Sequence, residues 1–117
     1  MRFIKIDKIS LKKGNIFKVL NSKKLFPIKE TYITTIKKKI PKTWRCHKNC
    51  DTVLLCIKGN VYVETENLKK KIKDDFKFIT LIKKNTKFRI STEKNNSLIM
   101  SFLKIPHNKI KSIYYDN

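Results

Sequence analysis

Residues 53–65 have the sequence VLLCIKGNVYVET, which is typical of two antiparallel strands joined by a tight turn. The first five residues are all apolar, as expected for a strand that is buried on both faces. A turn signal follows at Lys58, Gly59 and Asn60. The chain then continues as a second strand at 61–65, with an apolar side chain at every second position. The sequence therefore predicts a β-hairpin with one deeply buried strand.

Further strands are predicted on both sides of this hairpin. The strand-like segments lie at residues 2–9 (an edge strand), 31–36, 43–48, 76–82, 87–91 and 98–103. Segments of this length at intervals of about ten residues, with turn signals between them, indicate a sandwich or barrel. The 117 residues are enough for one domain over 1–117, with a tail at 108–117 that we expect to be a short helix or an arm.

The residues available for turns are unusual for a β protein. Only two glycines are present, so the turns are expected to depend on Asn and Lys clusters. Pro41 ends the segment at 31–36, and residues 68–75 are predicted to be a charged loop or hairpin. The lysine runs at 37–39 and 69–73 are interpreted as solvated faces of hairpins.

The chain carries 29 Lys and Arg against nine Asp and Glu, a formal charge of +20. Lysine neutralises phosphates, so this charge raises the possibility of a nucleic-acid partner. Only Arg2, Arg45 and Arg89 are arginines, however, and the lysines are spread along the chain instead of forming one basic stripe. We therefore expect no nucleic-acid partner, and leave open that the charge helps a site to hold an anionic diphosphate.

Three cysteines, Cys46, Cys50 and Cys56, fall within eleven residues. Neither a signal peptide nor a run of about twenty apolar residues is visible, so we expect a cytoplasmic protein with reduced thiols and no membrane partner. Cys46, His47 and Cys50 could suggest zinc, but a structural site needs four ligands and the second pair is missing. No metal is expected.

Three stretches of the sequence carry a resemblance to a known family. They are HKNCDTVLLCIKGNVYV at 47–63, SLIMSF followed by IPH at 97–107, and ETY at 30–32. They resemble the cupin subgroup that contains the dTDP-4-dehydrorhamnose 3,5-epimerase-like proteins and the dTDP-sugar 3,4-ketoisomerases. The resemblance implies an all-β, cupin-type jelly-roll barrel of antiparallel strands, usually a homodimer, with the site inside the barrel mouth. It also implies a nucleotide-diphosphate sugar as substrate, in cell-surface polysaccharide synthesis.

Such enzymes move a proton beside the carbonyl of a 4-keto sugar, which requires a base, an acid and a group that stabilises the enolate oxygen. No metal or other cofactor is required. His47 matches the second histidine of the family's His-x-His pattern and is our candidate acid/base, against the alternative of a half-buried strand histidine. Tyr32 matches an active-site tyrosine of the ketoisomerases and is the candidate second acid, or an ordinary core aromatic.

Four further residues are assigned to substrate binding. Arg45 would bind substrate charge, and Asn49 lies beyond a turn on the face of His47. Lys48 points to the opposite face of a strand from His47. Trp44 could stack a thymine, although a place in the barrel wall is the simpler reading. His107 is expected to cap or dock the tail, and Tyr114 and Tyr115 to pack on a partner subunit or to lie disordered.

The sequence departs from the family pattern at three positions. Arg45 occupies the position of the usual base, and an arginine remains protonated. Thr52 falls near the lysine that supports the enolate, and Phe88 near a histidine of the metal-binding cupins. The resemblance therefore leaves two readings open: an isomerase or epimerase, and a non-catalytic cupin that binds a sugar nucleotide.

Overall fold

The computed structural model describes residues 1–20, 27–38, 43–93 and 96–115. Within these ranges the chain forms twelve strands and a 3₁₀ turn at His107–Lys109. The strands are β1 (Arg2–Lys5), β2 (Asp7–Leu11), β3 (Gly14–Lys18), β4 (Glu30–Ile36), β5 (Trp44–His47), β6 (Thr52–Lys58), β7 (Asn60–Thr65), β8 (Lys69–Lys73), β9 (Phe78–Ile82), β10 (Lys87–Ser91), β11 (Ser97–Leu103) and β12 (Ser112–Tyr115). In the described part of the chain, no helix is long and apolar enough to cross a membrane.

The strands form two five-stranded antiparallel sheets. The first sheet has the order β1-β9-β6-β11-β4, and the second has the order β12-β5-β10-β7-β8. The chain crosses between the two sheets after β4, β5, β6, β8, β9, β10 and β11, so that most neighbours within a sheet are distant in sequence, β7 and β8 excepted. This topology is a jelly roll, and the predicted all-β fold is confirmed.

The central strand of the first sheet, β6, is buried on both of its faces over residues 52–56. Leu54 and Cys56 of β6 point between the two sheets, where they pack with side chains of β7, β8, β9, β10 and β11. Val53 and Leu55 point the other way, into a second cluster covered by the N-terminal segment, which includes Phe17. The apolar run 53–57 is continuous because both faces of β6 are covered.

The turn between β6 and β7 requires its glycine. The two strands and the turn were predicted correctly, but the predicted hairpin was wrong: β6 and β7 do not pair, because the chain passes at this turn from the first sheet to the second. Gly59 has a φ of +81°, and a Cβ atom there would lie 2.5 Å from Ser97 Oγ. Asn85 and Asn96 also have positive φ angles, which confirms that asparagines provide turns in this glycine-poor chain. Phe76, with a φ of 55°, is a third such position that the sequence did not indicate.

The N-terminal prediction was wrong in one respect. Residues 2–9 do not form a single edge strand, because the pairing changes at Ile6. The strand β1 joins the first sheet beside β9, whereas β2 pairs with β3 in a separate two-stranded sheet. Ile6 is buried in the cluster on the outer face of the first sheet, and this burial turns the chain from one sheet to the other.

The C-terminal tail is a strand and not a helix. Residues 112–115 form β12, which pairs with β5 along its whole length. The segment before it is held by Asn49, whose side-chain amide donates to Lys109 O at 3.2 Å and accepts from Lys111 N at 2.8 Å.

Residues 68–75, predicted to be a charged loop or hairpin, contain the strand β8 and a turn. Lys39, Pro41, Asp116 and Asn117 lie outside the described residues.

Candidate functional site

A cavity lies between the two sheets, on the side formed by β4, β5, β6, β10 and β11. It encloses about 60 Å³. Its polar lining side chains are Tyr32, Thr34, Arg45, His47, Thr52 and Ser101. An adjoining space of about 210 Å³ has Arg45 and Thr34 among its lining residues too, so the cavity and the adjoining space form one cleft.

His47 is held in this cavity by β5 and β12. The alternation of β5 places Arg45 and His47 on the inner face, and His47 is only 8% exposed. Its Nδ1 atom lies 2.7 Å from Ser112 Oγ, and its ring meets the edge of Phe88 at 5.5 Å between centroids. Because Ser112 engages Nδ1, the other ring nitrogen, Nε2, is the one available for proton transfer.

The environment of His47 favours its neutral form. Burial lowers its pKa below the ordinary value of 6.5, and the positive charge of Arg45 and the neighbouring His107 lower it further. A neutral imidazole at pH 7 can accept a proton, as a general base must.

Two buried polar atoms in the cavity have no hydrogen-bond partner among the described residues. They are Arg45 Nε and Thr52 Oγ1. The guanidinium of Arg45 also lies 5.9 Å from the ring centre of Tyr114 on β12. Buried polar groups are normally satisfied, so an unpaired donor and hydroxyl at one cavity indicate a place for a polar ligand.

Tyr32 lines the same cavity from β4. Its ring stands edge-on to the ring of His107 at 5.3 Å. Burial raises the pKa of Tyr32 above 10, while a hydrogen bond with Ser101 and the charge of Arg45 act in the opposite direction. The phenol therefore remains protonated at neutral pH and can act as an acid.

The other three predicted site residues lie outside the cavity lining. Trp44 is on the outer face of the second sheet, with the guanidinium of Arg89 4.4 Å from its ring centre. Lys48 is exposed beyond the end of β5, and Asn49 fastens the segment before β12. The structure thus brings together Tyr32, Arg45 and His47 but not these three.

Several residues of the site carried no clear signal in the sequence. Ser112 lies 65 positions from His47, in a tail whose strand was not predicted. Ser101 had a weak signal, because Ser97, Ile99 and Ser101 share one face of an apolar strand. His107 was expected to cap or dock the tail. Its backbone N–H donates a hydrogen bond to Glu30 Oε2 at the start of β4. Within the described ranges, no three His, Cys, Asp or Glu side chains are grouped to hold a metal ion.

Comparison with known families agrees with the fold. The model of the family described as "FdtA: WxcM-like, C-terminal" matches residues 1–115. The chain belongs to the WxcM-like family. No curated protein sequence matches it significantly.

Solved structures that are similar to this WxcM-like chain include sugar isomerases. One is a mutant of the 3,4-ketoisomerase QdtA from Thermoanaerobacterium thermosaccharolyticum in complex with TDP-4-keto-6-deoxyglucose, with 20% identity, a TM-score of 0.76, and coverage of 96% of this chain and 85% of that one. Another is the WlaRB TDP-quinovose 3,4-ketoisomerase from Campylobacter jejuni, with 17% identity, a TM-score of 0.74, and coverage of 92% and 87%.

A third related structure is the rmlC epimerase of Mycobacterium tuberculosis. It has 10% identity and a TM-score of 0.72, with coverage of 91% of this chain and 64% of that chain. At these identities the likeness establishes that the WxcM-like chain has the same cupin-type fold.

Proposed function

We propose that this chain is an isomerase or epimerase that acts on a dTDP-linked 4-keto-6-deoxy sugar, by proton transfer next to the carbonyl. The observation that carries the proposal is that His47, Tyr32 and Arg45 line one cavity, with Arg45 Nε unpaired among the described residues. One of the similar solved structures, the QdtA 3,4-ketoisomerase mutant, is in complex with a substrate of this kind, TDP-4-keto-6-deoxyglucose.

The three side chains have complementary parts in this proposal. His47, neutral because of its lowered pKa, takes the proton from the carbon beside the carbonyl, and the electron pair moves onto the carbonyl oxygen. The charge of Arg45 stabilises the enolate oxygen that forms. Tyr32, protonated because of its raised pKa, is the acid that returns a proton. Return of the proton to the same carbon from the opposite face gives an epimer. Protonation of the former carbonyl carbon gives the isomer, provided that the enolate oxygen also gains a proton and the hydroxyl of the neighbouring carbon loses one to become the new carbonyl.

A second candidate is a non-catalytic relative that binds a sugar nucleotide. Two observations favour it: Arg45, which cannot act as a base, holds the position of the family's usual base, and the inner cavity is only about 60 Å³. In this case the adjoining space of about 210 Å³ would hold the nucleotide without turnover. Polyanion or nucleic-acid binding is a third and weaker candidate, based on net charge alone.

The decisive experiment incubates the purified protein with dTDP-4-keto-6-deoxyglucose in D₂O and follows the sugar protons by NMR. We expect deuterium to enter beside the carbonyl, and His47→Asn to abolish this exchange. Arg89→Gln on the outer face of the second sheet is the matched control and should exchange normally. The absence of exchange in the wild-type protein contradicts catalysis on this substrate.

Thermal denaturation with dTDP separates the two candidates, because a ligand that binds only the folded state raises Tm. A higher Tm with dTDP but no deuterium exchange supports the non-catalytic relative. An unchanged Tm together with no exchange contradicts both.

We also propose that the protein works in the cytoplasm as a homodimer, in the synthesis of cell-surface polysaccharide. The resemblance to the sugar-nucleotide cupins supports this setting. Sedimentation equilibrium of the purified chain tests the dimer directly, since a mass of 13.9 kDa at all concentrations would contradict it.

A further inference from the structure

A second cavity lies on the opposite side of the jelly roll, between the edge strands of the two sheets. It encloses about 290 Å³. Residues of β1, β8 and β9 line it, and none of them lines the cavity of His47. The core side chains of β6, β7 and β10 lie between the two cavities. The second cavity is therefore a separate site.

The inner wall of this cavity contains a buried hydroxyl group. Thr80 of β9 is fully buried, and its Oγ1 atom has no hydrogen-bond partner among the described residues. Thr80 lies directly across from Phe3 of β1 in the sheet, at the wall of the cavity. A buried hydroxyl without a partner costs free energy, which a ligand with a hydrogen-bonding atom can recover.

The remaining walls are apolar within and positively charged outside. Phe3, Ile72 and Phe78 provide apolar surface. Lys70, Lys71 and Lys73 of the edge strand β8 are exposed beside them, with Asp75 as the one acidic lining residue. The Lys70 Nζ atom lies 5.9 Å from the ring centre of Phe3, so positive charge sits directly at the apolar wall.

We propose that this second cavity binds a small organic anion with an apolar ring between its charged end and a hydrogen-bonding atom. The ring packs between Phe3 and Phe78, the inner polar atom pairs with Thr80 Oγ1, and the anionic group meets Lys70, whose ammonium lies at this wall. The cavity lies between two sheet edges, and pairing with the fully buried hydroxyl of Thr80 requires a small displacement of the side chains that cover it. The proposal is independent of the function assigned to the His47 cavity.

The test uses three probes that differ by one feature each: 4-hydroxyphenylacetate, phenylacetate without the inner hydroxyl, and tyramine with a cation in place of the anion. Binding to the ¹⁵N-labelled full chain is followed by NMR. We expect 4-hydroxyphenylacetate to shift amide signals of β1, β8 and β9, to bind about two- to tenfold more tightly than phenylacetate, and to bind far better than tyramine. Saturating dTDP should not displace it.

Two variants assign the contacts. Thr80→Val keeps the shape of the side chain and should remove the preference for 4-hydroxyphenylacetate over phenylacetate, whereas Thr80→Ser should keep it. Lys70→Gln combined with Lys71→Gln and Lys73→Gln should weaken both anions, and Lys104→Gln, remote from the cavity, should weaken neither. No binding of 4-hydroxyphenylacetate, its displacement by dTDP, or an undiminished preference in Thr80→Val would each overturn the proposal.

Discussion

His47 and Arg45 share the inner face of β5, so the charge state of His47 depends on Arg45. The positive guanidinium is one cause of the lowered pKa of His47, after burial. We predict that Arg45→Gln raises the pKa of His47, because a nearby positive charge no longer opposes protonation. Burial is unchanged, so the pKa should remain below 6.5.

This prediction is measured by NMR titration of the His47 imidazole, assigned by comparison with His47→Asn. In an active enzyme, the acid limb of kcat/KM should move to higher pH in Arg45→Gln, since His47 must be neutral to accept a proton. Arg89→Gln is the control, because Arg89 is paired with Glu64 on the outer face at 3.0 Å. A His47 pKa that stays constant or falls in Arg45→Gln contradicts the electrostatic argument.

Ser112 is a positioning residue in the same site, because it touches His47 and not the cavity. Loss of its hydroxyl in Ser112→Ala frees Nδ1, which is now held at 2.7 Å. We predict a fall in kcat of about two- to tenfold, the range of one hydrogen bond, with little change in KM. Ser112→Thr keeps the hydroxyl and should restore most of kcat. An unchanged kcat in Ser112→Ala would remove Ser112 from the site.

Among the elements, β12 is the one that completes the site, and Asn49 fastens it. The Asn49 side chain makes two hydrogen bonds to the segment before β12. We predict that Asn49→Ala loosens β12, so that the amides of residues 112–115 exchange with solvent faster while those of β6 are unaffected. Lys48→Ala, at the neighbouring exposed position, is the control. If Asn49→Ala changes KM for the sugar nucleotide but leaves exchange in β12 unaltered, Asn49 binds substrate instead.

The strands also show which parts of the fold can be predicted from sequence patterns. The two strands and the turn at 53–65 were predictable, because an apolar run, a glycine turn and an alternating strand each have a local signature. Their pairing as a hairpin was wrong, because the chain changes sheets at the turn, and this depends on tertiary packing. The strand β12 was not, because SIYY in a polar tail lacks alternation and its pairing with β5 is a tertiary contact. The break at Ile6 was missed for a similar reason: only the packing of Ile6 under the first sheet distinguishes two short strands from a long one.

The site residues also fall into two groups: those that could be selected from the sequence, and those whose role depends on tertiary contacts. His47, Arg45 and Tyr32 were selected by resemblance, and the strand period placed two of them on one face. Thr52 and Ser101 lay in apolar strands, where a small polar residue gives at most a weak local indication of function. The assignment of Asn49 to substrate binding could not be judged from the sequence, because the segment that it contacts is 60 residues away.

For the whole molecule, the charge of +20 is the property most open to experiment. Most lysines are exposed, and self-repulsion of like charges destabilises a compact state. We predict that Tm rises as NaCl is increased from about 0.1 M to about 1 M, because the screening length falls from about 10 Å to about 3 Å. A fall in Tm over this range would contradict net repulsion.

A charge-reduced variant separates general repulsion from a specific anion site. Lys58→Gln, Lys83→Gln and Lys104→Gln together change three exposed positions and reduce the formal charge from +20 to +17 (20 − 3 = 17). If repulsion acts over the whole surface, this variant should have a higher Tm at low salt and a smaller response to NaCl. Stabilisation by dTDP is a binding effect that depends on Kd, so it should persist in the variant at fixed salt. Loss of the dTDP effect in the variant would show that the general surface charge, and not the cleft at Arg45, holds the diphosphate.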